Sequence, residues 1–413
     1  MSNNEKIFSF NPNCSHNACV GGNGAPHERH YINGFTKAAL LLLERVLNDE
    51  PDSYADELIY PICFNIRHAL ELQLKQFSAD LSVIAKYKGV SLEVNRKKIH
   101  DINSLWRRIQ ELAIKLDPRF TSHLRILDPF ICEIGTLDPT GQTFRYPSDT
   151  SSKQHLVESG GIFSCKVIES QFKQMNKHLS ALQRCCQELI SEYSLGSHTK
   201  ILSRKQLFDI AKRLPDFSQW SENNDFTQCK VKVREDFGIS NSELSKSIEL
   251  IKHHYEMSNL IGISLPLRAI SIEQLKMIFD YWTQFHSQHK TTFISLSHIV
   301  ERLTATLSIE AIADLHALYY FGIDLQYSEY YIDSFEREKN NVKYIKDNKT
   351  EVATYLRTVF CKRNLIEFVC KSLVFLRYPP PVGALSGSLD FHADFSSPAY
   401  QAQLCRPSYA EFC

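Results

Sequence analysis

Two basic side chains, an imidazole and a carboxylate lie close together in one helix-forming stretch of the chain. They are Arg67, His68, Glu71 and Lys75. At about 100° per residue they fall in one sector of a helix, and their three- and four-residue spacings let them touch. An arginine can stabilise developing negative charge, and a histidine can move a proton from a 2′-hydroxyl. The set therefore predicts a phosphate or RNA site that would cleave, if it cleaves, without a metal.

The same set also has a structural interpretation. Arg67, His68 and Glu71 are the candidate catalytic residues, and Lys75 is a candidate substrate-binding residue. Alternatively, all four form a buried ion network that pins the helix to its neighbours, because structural networks gather charges as active sites do. The rest of the helix is largely apolar, so the polar stripe faces either buried partners or a ligand. An open cleft beside Arg67 and His68 would favour a site over a network.

His100 and Asp101 are two further candidates for substrate binding. Asp101 is predicted to be the N-cap of a helix that runs to about Leu116. The free N–H groups of such a helix end could bind an anion beside His100 and the stripe. The alternative is that Asp101 only caps the helix and that His100 is satisfied by neighbouring groups.

Arg145 is the last candidate for substrate binding. It stands between two aromatic residues, Phe144 and Tyr146, in a turn-rich segment. It could clamp a phosphate or stack on a base. It could equally anchor its loop to the rest of the fold through a carboxylate.

Cysteines and histidines near the N-terminus have a spacing that zinc could use. They are Cys14, His16, Cys19, His27 and His30. The set could supply four ligands, but it lacks the Cys-x-x-Cys pair that structural zinc sites usually show. The sequence therefore predicts neither a metal nor another cofactor.

The elements that position these side chains are predicted to be helices throughout. Apolar residues recur at helical spacing in the predicted helices, and Pro61 suits the first turn of the organising helix. A mixed pattern covers 117–152, and a short β-like patch is expected at 90–94. The predicted helices cover 31–47, 60–77, 101–116, 166–193, 242–254, 271–285, 296–307, 309–321 and 350–376.

The composition argues against recruitment by net charge, against membrane association and against a disulfide framework. Lys plus Arg and Asp plus Glu each number 47, so no overall field recruits nucleic acid or an anionic membrane. The longest apolar run, over 38–43, is too short to span a bilayer, so no membrane association is expected. The twelve cysteines are scattered, which indicates reduced thiols of a cytoplasmic protein rather than a disulfide framework.

Four segments are expected along the 413 residues. A loop-rich segment covers 1–30, and a helical bundle covers 31–197. A second, mainly helical domain covers 198–378, and Pro379-Pro380-Pro381 begins a tail over 379–413 that is predicted to be disordered. The fold class is therefore all-α.

Three pieces of the chain together resemble an uncharacterised bacterial family within the broad HEPN-like helical class. One is the run from Val20 to Gly24 with Tyr31, Gly34 and Phe35; another is the helix from Tyr60 to Lys75. The third is His100-Asp101 with Leu105-Trp106, followed by Phe144-Arg145-Tyr146-Pro147. The resemblance covers about 18–195. It implies a HEPN-like bundle, a homodimer, and a role like that of the RNA-cleaving members in toxin–antitoxin or antiviral defence systems.

One departure from the class bears on catalysis. Catalytic HEPN-like proteins carry an arginine, a spacer of four to six residues and a histidine on one helix. Nowhere in this chain does that spacing occur: Arg67 and His68 are adjacent, and Arg96 to His100 and Arg119 to His123 are too close. Enzymatic activity is therefore left open.

Two functions from different classes fit these observations. One is a HEPN-like, defence-associated effector that cleaves or binds RNA. The other is a non-catalytic helical module that binds a nucleotide or a protein and acts as a sensor or scaffold, with the C-terminal domain as the protein-binding part. The polar stripe and the resemblance favour the first, and the missing arginine–histidine spacing favours the second.

Overall fold

The protein is all-α. A computed structural model describes residues 7–48, 54–91, 100–148, 152–157, 161–221, 224–286 and 295–378. These residues form fifteen α-helices and no β-strand, which confirms the predicted fold class. None of the helices in the described ranges combines the length and apolar character needed to cross a bilayer.

The described residues form two compact units that divide between Ser191 and Glu192. The predicted boundary, at 197/198, lies slightly further along. The first unit is built from four helices and most of a fifth. They are α1 (Glu28–Asn48), α2 (Ala55–Tyr87), α3 (Ile102–Leu116), α4 (Thr121–Leu137) and α5 (Cys165–Ser194).

Helix α2 is the central element of the first unit. Three of its apolar side chains, Leu70, Leu74 and Phe77, are at most 3% exposed. Phe77 meets the ring of Phe120 edge-on, with centroids 5.5 Å apart, so the start of α4 packs on α2. A helix of 33 residues with one face buried along most of its length fixes where the polar stripe lies.

The second unit contains ten shorter helices around two apolar clusters. One cluster involves α6 to α9, and the other involves α9 to α15. The helices are α6 (Arg204–Arg213), α7 (Asn224–Phe237), α8 (Asn241–Lys252), α9 (Tyr255–Leu260), α10 (Ile272–His286), α11 (Leu296–Thr306), α12 (Ile309–Phe321), α13 (Glu329–Lys343), α14 (Lys349–Phe360) and α15 (Leu365–Phe375).

The prediction for the organising helix was right in place but wrong in length. Helix α2 begins at Ala55, so Pro61 lies inside it rather than in its first turn. Its ring removes one backbone hydrogen bond, which would otherwise run to the carbonyl of Glu57. Tertiary burial of the apolar face outweighs that loss, and sequence periodicity carries no measure of such burial.

One helix was not predicted, and one predicted helix was wrong. The mixed segment 117–152 contains α4, which includes Pro129 and buries Leu124, Leu127 and Ile131 on one face. The single helix predicted over 350–376 is two helices, α14 and α15. The carbonyl of Lys362, in the turn between them, accepts a hydrogen bond from Nε1 of Trp282 at 3.0 Å. A partner 80 residues away stabilises this break, so no local pattern could show it.

Two further predictions lie largely or wholly outside the described residues. The β-like patch at 90–94 extends beyond residue 91, where the described range ends. The tail over 379–413 lies wholly outside the described ranges.

Candidate functional site

Arg67 is at the centre of the predicted stripe, and it is buried, with 3% of its surface exposed. Its Nε donates to the backbone carbonyl of Asp138 at 3.3 Å, and one terminal nitrogen donates to the carbonyl of His100 at 2.7 Å. The other terminal nitrogen pairs with the Glu71 carboxylate. All three guanidinium nitrogens are thus engaged, and Arg67 joins α2 to the start of α3 and to the segment after α4.

The turn after α4 is shaped around this guanidinium. The buried Asp138 places a carboxylate oxygen 3.4 Å from Nε of Arg67 and accepts the N–H of Thr143 at 3.1 Å. Gly141 has φ +77°, and a Cβ atom there would lie 3.0 Å from Cζ of Arg67. Only glycine combines that backbone conformation with so close an approach. Asp138 and Gly141 belong to the turn-rich segment that contains Arg145, but they were not among the candidate residues.

Glu71 is the hub of the stripe. Its carboxylate binds Arg67, accepts from Nζ of Lys75 at 2.6 Å, and lies 3.2 Å from Nδ1 of His100. Burial raises the pKa of Glu71, but hydrogen bonds from Lys75 and Arg67 outweigh it and hold the pKa below its usual range. Glu71 is therefore ionised at neutral pH and cannot act as a general acid there.

His68 contacts rings rather than the ion network. Its imidazole stacks on Phe64 with centroids 5.6 Å apart and meets Phe35 edge-on at 4.4 Å. Burial lowers the pKa of His68, Glu71 raises it, and the neighbouring cations Arg67, Lys75 and Arg145 lower it further. His68 is thus neutral at physiological pH, half-buried, and in an aromatic environment.

Arg145 is exposed beside this aromatic group. A turn closed by the carbonyl of Gln142 presents it. Its Cζ lies 5.8 Å from the ring centroid of Phe64 and 5.4 Å from that of Tyr146, which is 50% exposed. Among the described residues no carboxylate pairs with Arg145, and its described side-chain contacts are with the two rings.

Asp101 has the local role predicted for it. Its carboxylate accepts the N–H of Asn103 at 3.0 Å as the N-cap of α3, and it also binds the hydroxyl of Ser104. Both bonds hold it to the helix end. His100 lies one residue earlier, and its side chain is 66% exposed.

The candidate residues therefore differ mainly in burial, and Lys75 and His100 lie at the boundary, because both also contact the buried Glu71. Arg67 and Glu71 belong to an ion network, as the structural interpretation expects. The exposed and half-exposed set, here named the basic–aromatic face, shares positive or aromatic character and access to solvent. It consists of His68, Lys75, His100, Arg145 and Tyr146.

A second polar cluster, which the sequence analysis missed, lies in the second unit where three helices begin. Arg204, the first residue of α6, is fully buried and pairs with Glu329 and, at 3.4 Å, with Glu256. His254 caps α9, and its Nε2 lies 3.1 Å from Glu329. The capping box of Ser203 and Gln206 marks one helix start. No local signal indicates that residues so far apart in sequence would meet.

His254, Glu256 and Glu329 bring three potential ligand atoms within 4.8 Å of one another. Nδ1 of His254 accepts the N–H groups of Glu256 and Met257, each at 3.2 Å, so the proton of the neutral ring is on Nε2. A metal at Nε2 would require that proton to move to Nδ1, against two backbone donors. With Arg204 bound to both carboxylates as well, the arrangement fits an ion network better than a metal centre.

The N-terminal cysteines and histidines are not gathered in the same way. Cys14 contacts Nδ1 of His16 at 4.0 Å, and His27 stacks on His30. Within the described ranges, three or more possible metal ligands come close enough to share an ion around His254, but not among these N-terminal side chains.

Comparisons of the chain with protein-family models, curated proteins and solved structures give no match.

Proposed function

We propose that the first unit is a HEPN-like module that binds single-stranded RNA through the basic–aromatic face and does not cleave it. Besides Arg145, the face contains His68, Lys75, His100 and Tyr146, each of which is exposed or half-exposed. The observation that carries the proposal is the guanidinium of Arg145, exposed, unpaired among the described residues and beside the ring of Tyr146.

An unpaired guanidinium beside an exposed ring suits a nucleotide chain. The cation can bind a phosphate while the ring stacks on a base, and stacking is worth about 1–3 kcal/mol per base. The half-buried rings of Phe64 and His68 support the base-facing side. Lys75 and His100 add donors at the edge, although Glu71 shares both.

The lack of cleavage follows from the position of Arg67. A catalytic arginine must reach the phosphate, whereas each nitrogen of Arg67 is bonded within the protein. His68 alone offers no paired acid and base. The missing arginine–spacer–histidine pattern of the catalytic relatives agrees with this.

The proposals on location, oligomeric state and biological role come from the HEPN-like resemblance. It favours a cytoplasmic, homodimeric protein with a role in antiviral or toxin–antitoxin defence. The second unit would then sense a signal or scaffold a protein partner.

The test is RNA cleavage and RNA binding by the purified full-length protein in EDTA. We expect intact total RNA and saturable binding of a labelled single-stranded RNA. Arg145→Ala should weaken binding by about tenfold, which corresponds to 1.4 kcal/mol. Arg145→Lys should retain part of the RNA affinity that Arg145→Ala loses, since lysine keeps the charge but cannot stack as a planar group.

Lys177→Ala is the matched control, because Lys177 is an exposed cation of the same unit outside the basic–aromatic face. Its binding should equal that of the wild type. If the wild type cleaves RNA and folded Arg67→Ala and His68→Ala variants do not, the proposal that the protein binds RNA without cleaving it is wrong. Equal losses in Arg145→Ala and Lys177→Ala would overturn the assignment of the face.

A further inference from the structure

A groove between α3 and α4 is lined by charged, polar and apolar side chains. Its volume is about 450 Å³, which is within the range of ligand pockets. Two arginines, Arg107 and Arg125, line it from facing helices. Its apolar part comes from Ile114, which is 47% exposed, and from the buried Leu124.

The two arginines are exposed cations without a protein counter-ion. Among the described residues, neither guanidinium makes a hydrogen bond or ion pair. Arg67, Arg119 and Arg204, by contrast, are all paired with carboxylates. The lining also holds two carboxylates, Glu111 and Asp128, but neither pairs with these arginines in the described part of the chain. An oxyanion bound by both guanidinium groups would therefore be their direct counter-ion. Guanidinium groups also match the geometry of phosphate oxygens.

Asp128 gives the groove a fixed acceptor. Its Oδ1 accepts from Nε1 of Trp106 at 2.9 Å, from Nε2 of Gln110 at 2.8 Å and from the thiol of Cys132 at 3.6 Å. The hydrogen bond from Trp106 holds the pKa of Asp128 below its usual range, so the group is ionised at neutral pH. Oδ2 accepts no hydrogen bond from the described residues and remains available to a ligand donor.

We propose that this groove binds a nucleoside monophosphate. The phosphate would lie between Arg107 and Arg125, and an N–H edge of the base would donate to Oδ2 of Asp128. Ile114 would contact the face of the base. The other lining carboxylate, Glu111, is exposed and stays solvated. This site uses none of the residues of the basic–aromatic face, so it stands independently of the proposed function.

The experiment is calorimetric titration of the full-length protein with GMP, AMP, CMP and inorganic phosphate as separate probes. At least one nucleotide should bind saturably and more tightly than phosphate alone. Arg107→Gln and Arg125→Gln should each lower the affinity for that nucleotide by about tenfold or more, as expected for the loss of a charge-assisted hydrogen bond. Both residues are on the surface, so these variants should fold.

Lys115→Gln is the matched control, since it makes the same charge change on the same helix outside the lining. It should bind like the wild type. Asp128→Asn keeps an acceptor for Trp106 but replaces the open oxygen with a donor, so nucleotide affinity should fall to that of phosphate. Its folding is checked by tryptophan emission.

Three results would overturn the proposal. They are no saturable binding by any nucleotide, an equal loss in Lys115→Gln, and inorganic phosphate binding as tightly as every nucleotide.

Discussion

Arg67 illustrates how burial changes the role of a residue whose type suggests catalysis. The same guanidinium could stabilise a transition state or hold three chain segments together. Its contacts with Glu71, Asp138 and the carbonyl of His100 favour the second role. A buried arginine with this many partners is costly to remove, because the carboxylates left behind lose their counter-ion.

We expect Arg67→Ala to lower the free energy of unfolding of the first unit by about 3–5 kcal/mol. Glu71 and Asp138 would then be buried without their shared cation. Urea unfolding followed by circular dichroism measures the change. Arg145→Ala is the control and should change stability by less than about 0.5 kcal/mol. Similar small effects of both variants would contradict the buried network.

Glu71 should make the first unit sensitive to acid. Because its pKa in the folded protein lies below the ordinary 4.5, its contribution to stability is complete above that pH. The contribution is lost as the pH falls through the folded-state pKa. Glu71→Gln cannot titrate, so its stability should decline less than that of the wild type between about pH 5 and pH 3.

The measurement is a series of urea unfolding curves at stepped pH. Other carboxylates with lowered pKa values, such as Asp128 and Glu338, also make the free energy of unfolding fall at acid pH, and they do so in both proteins. Parallel slopes for the wild type and Glu71→Gln would rule out a contribution from Glu71.

At the scale of elements, close helix contacts depend on single glycines. Gly322 follows α12 with an ordinary helical φ of −66°, so its backbone does not require glycine. The backbone carbonyl of Phe368 in α15 occupies the space that a Cβ atom would need. Contact between α12 and α15 is therefore the reason for glycine at this position.

Gly322→Ala should destabilise the second unit by about 2–3 kcal/mol, because backbone atoms cannot move aside as a flexible side chain would. Gly34→Ala is the comparison, since Gly34 lies within α1 and a Cβ atom there would meet nothing within 4 Å. It should raise the stability of the first unit by about 0.5–1 kcal/mol. Thermal unfolding measures both. Changes of the same sign would contradict the close contact.

At the scale of the whole molecule, charge balance limits how nucleic acid can bind. With 47 basic and 47 acidic residues, affinity must come from a local face rather than from a general field. The basic–aromatic face offers three basic groups, Lys75, His100 and Arg145.

If that face binds single-stranded RNA, the slope of log K against log salt should be about −2 or shallower, since each phosphate contact on a single strand contributes about −0.7. Arg145→Ala should make the slope shallower by about 0.7. Binding titrations at several KCl concentrations measure both. A slope of about −5 would require phosphate contacts well beyond the face.

Local patterns in the sequence account for the helical class and for several details within single helices. Arg67, Glu71 and Lys75 do form (i, i+4) pairs, and Asp101 does cap α3. These features depend only on the fixed pitch of the helix and on residues within one turn. Helix α4 and the break between α14 and α15 were missed, because burial and a tertiary hydrogen bond stabilise them.

Only the tertiary structure decided which of the candidate residues face solvent. Arg67 is buried because His100 and Asp138, 33 and 71 residues away, place carbonyl groups against it. Gly141 leaves the space that this arrangement needs. Arg145 stays exposed because its turn holds it on the rings of Phe64 and Tyr146. Helical spacing sets which side chains share a stripe, but long-range packing sets what covers that stripe.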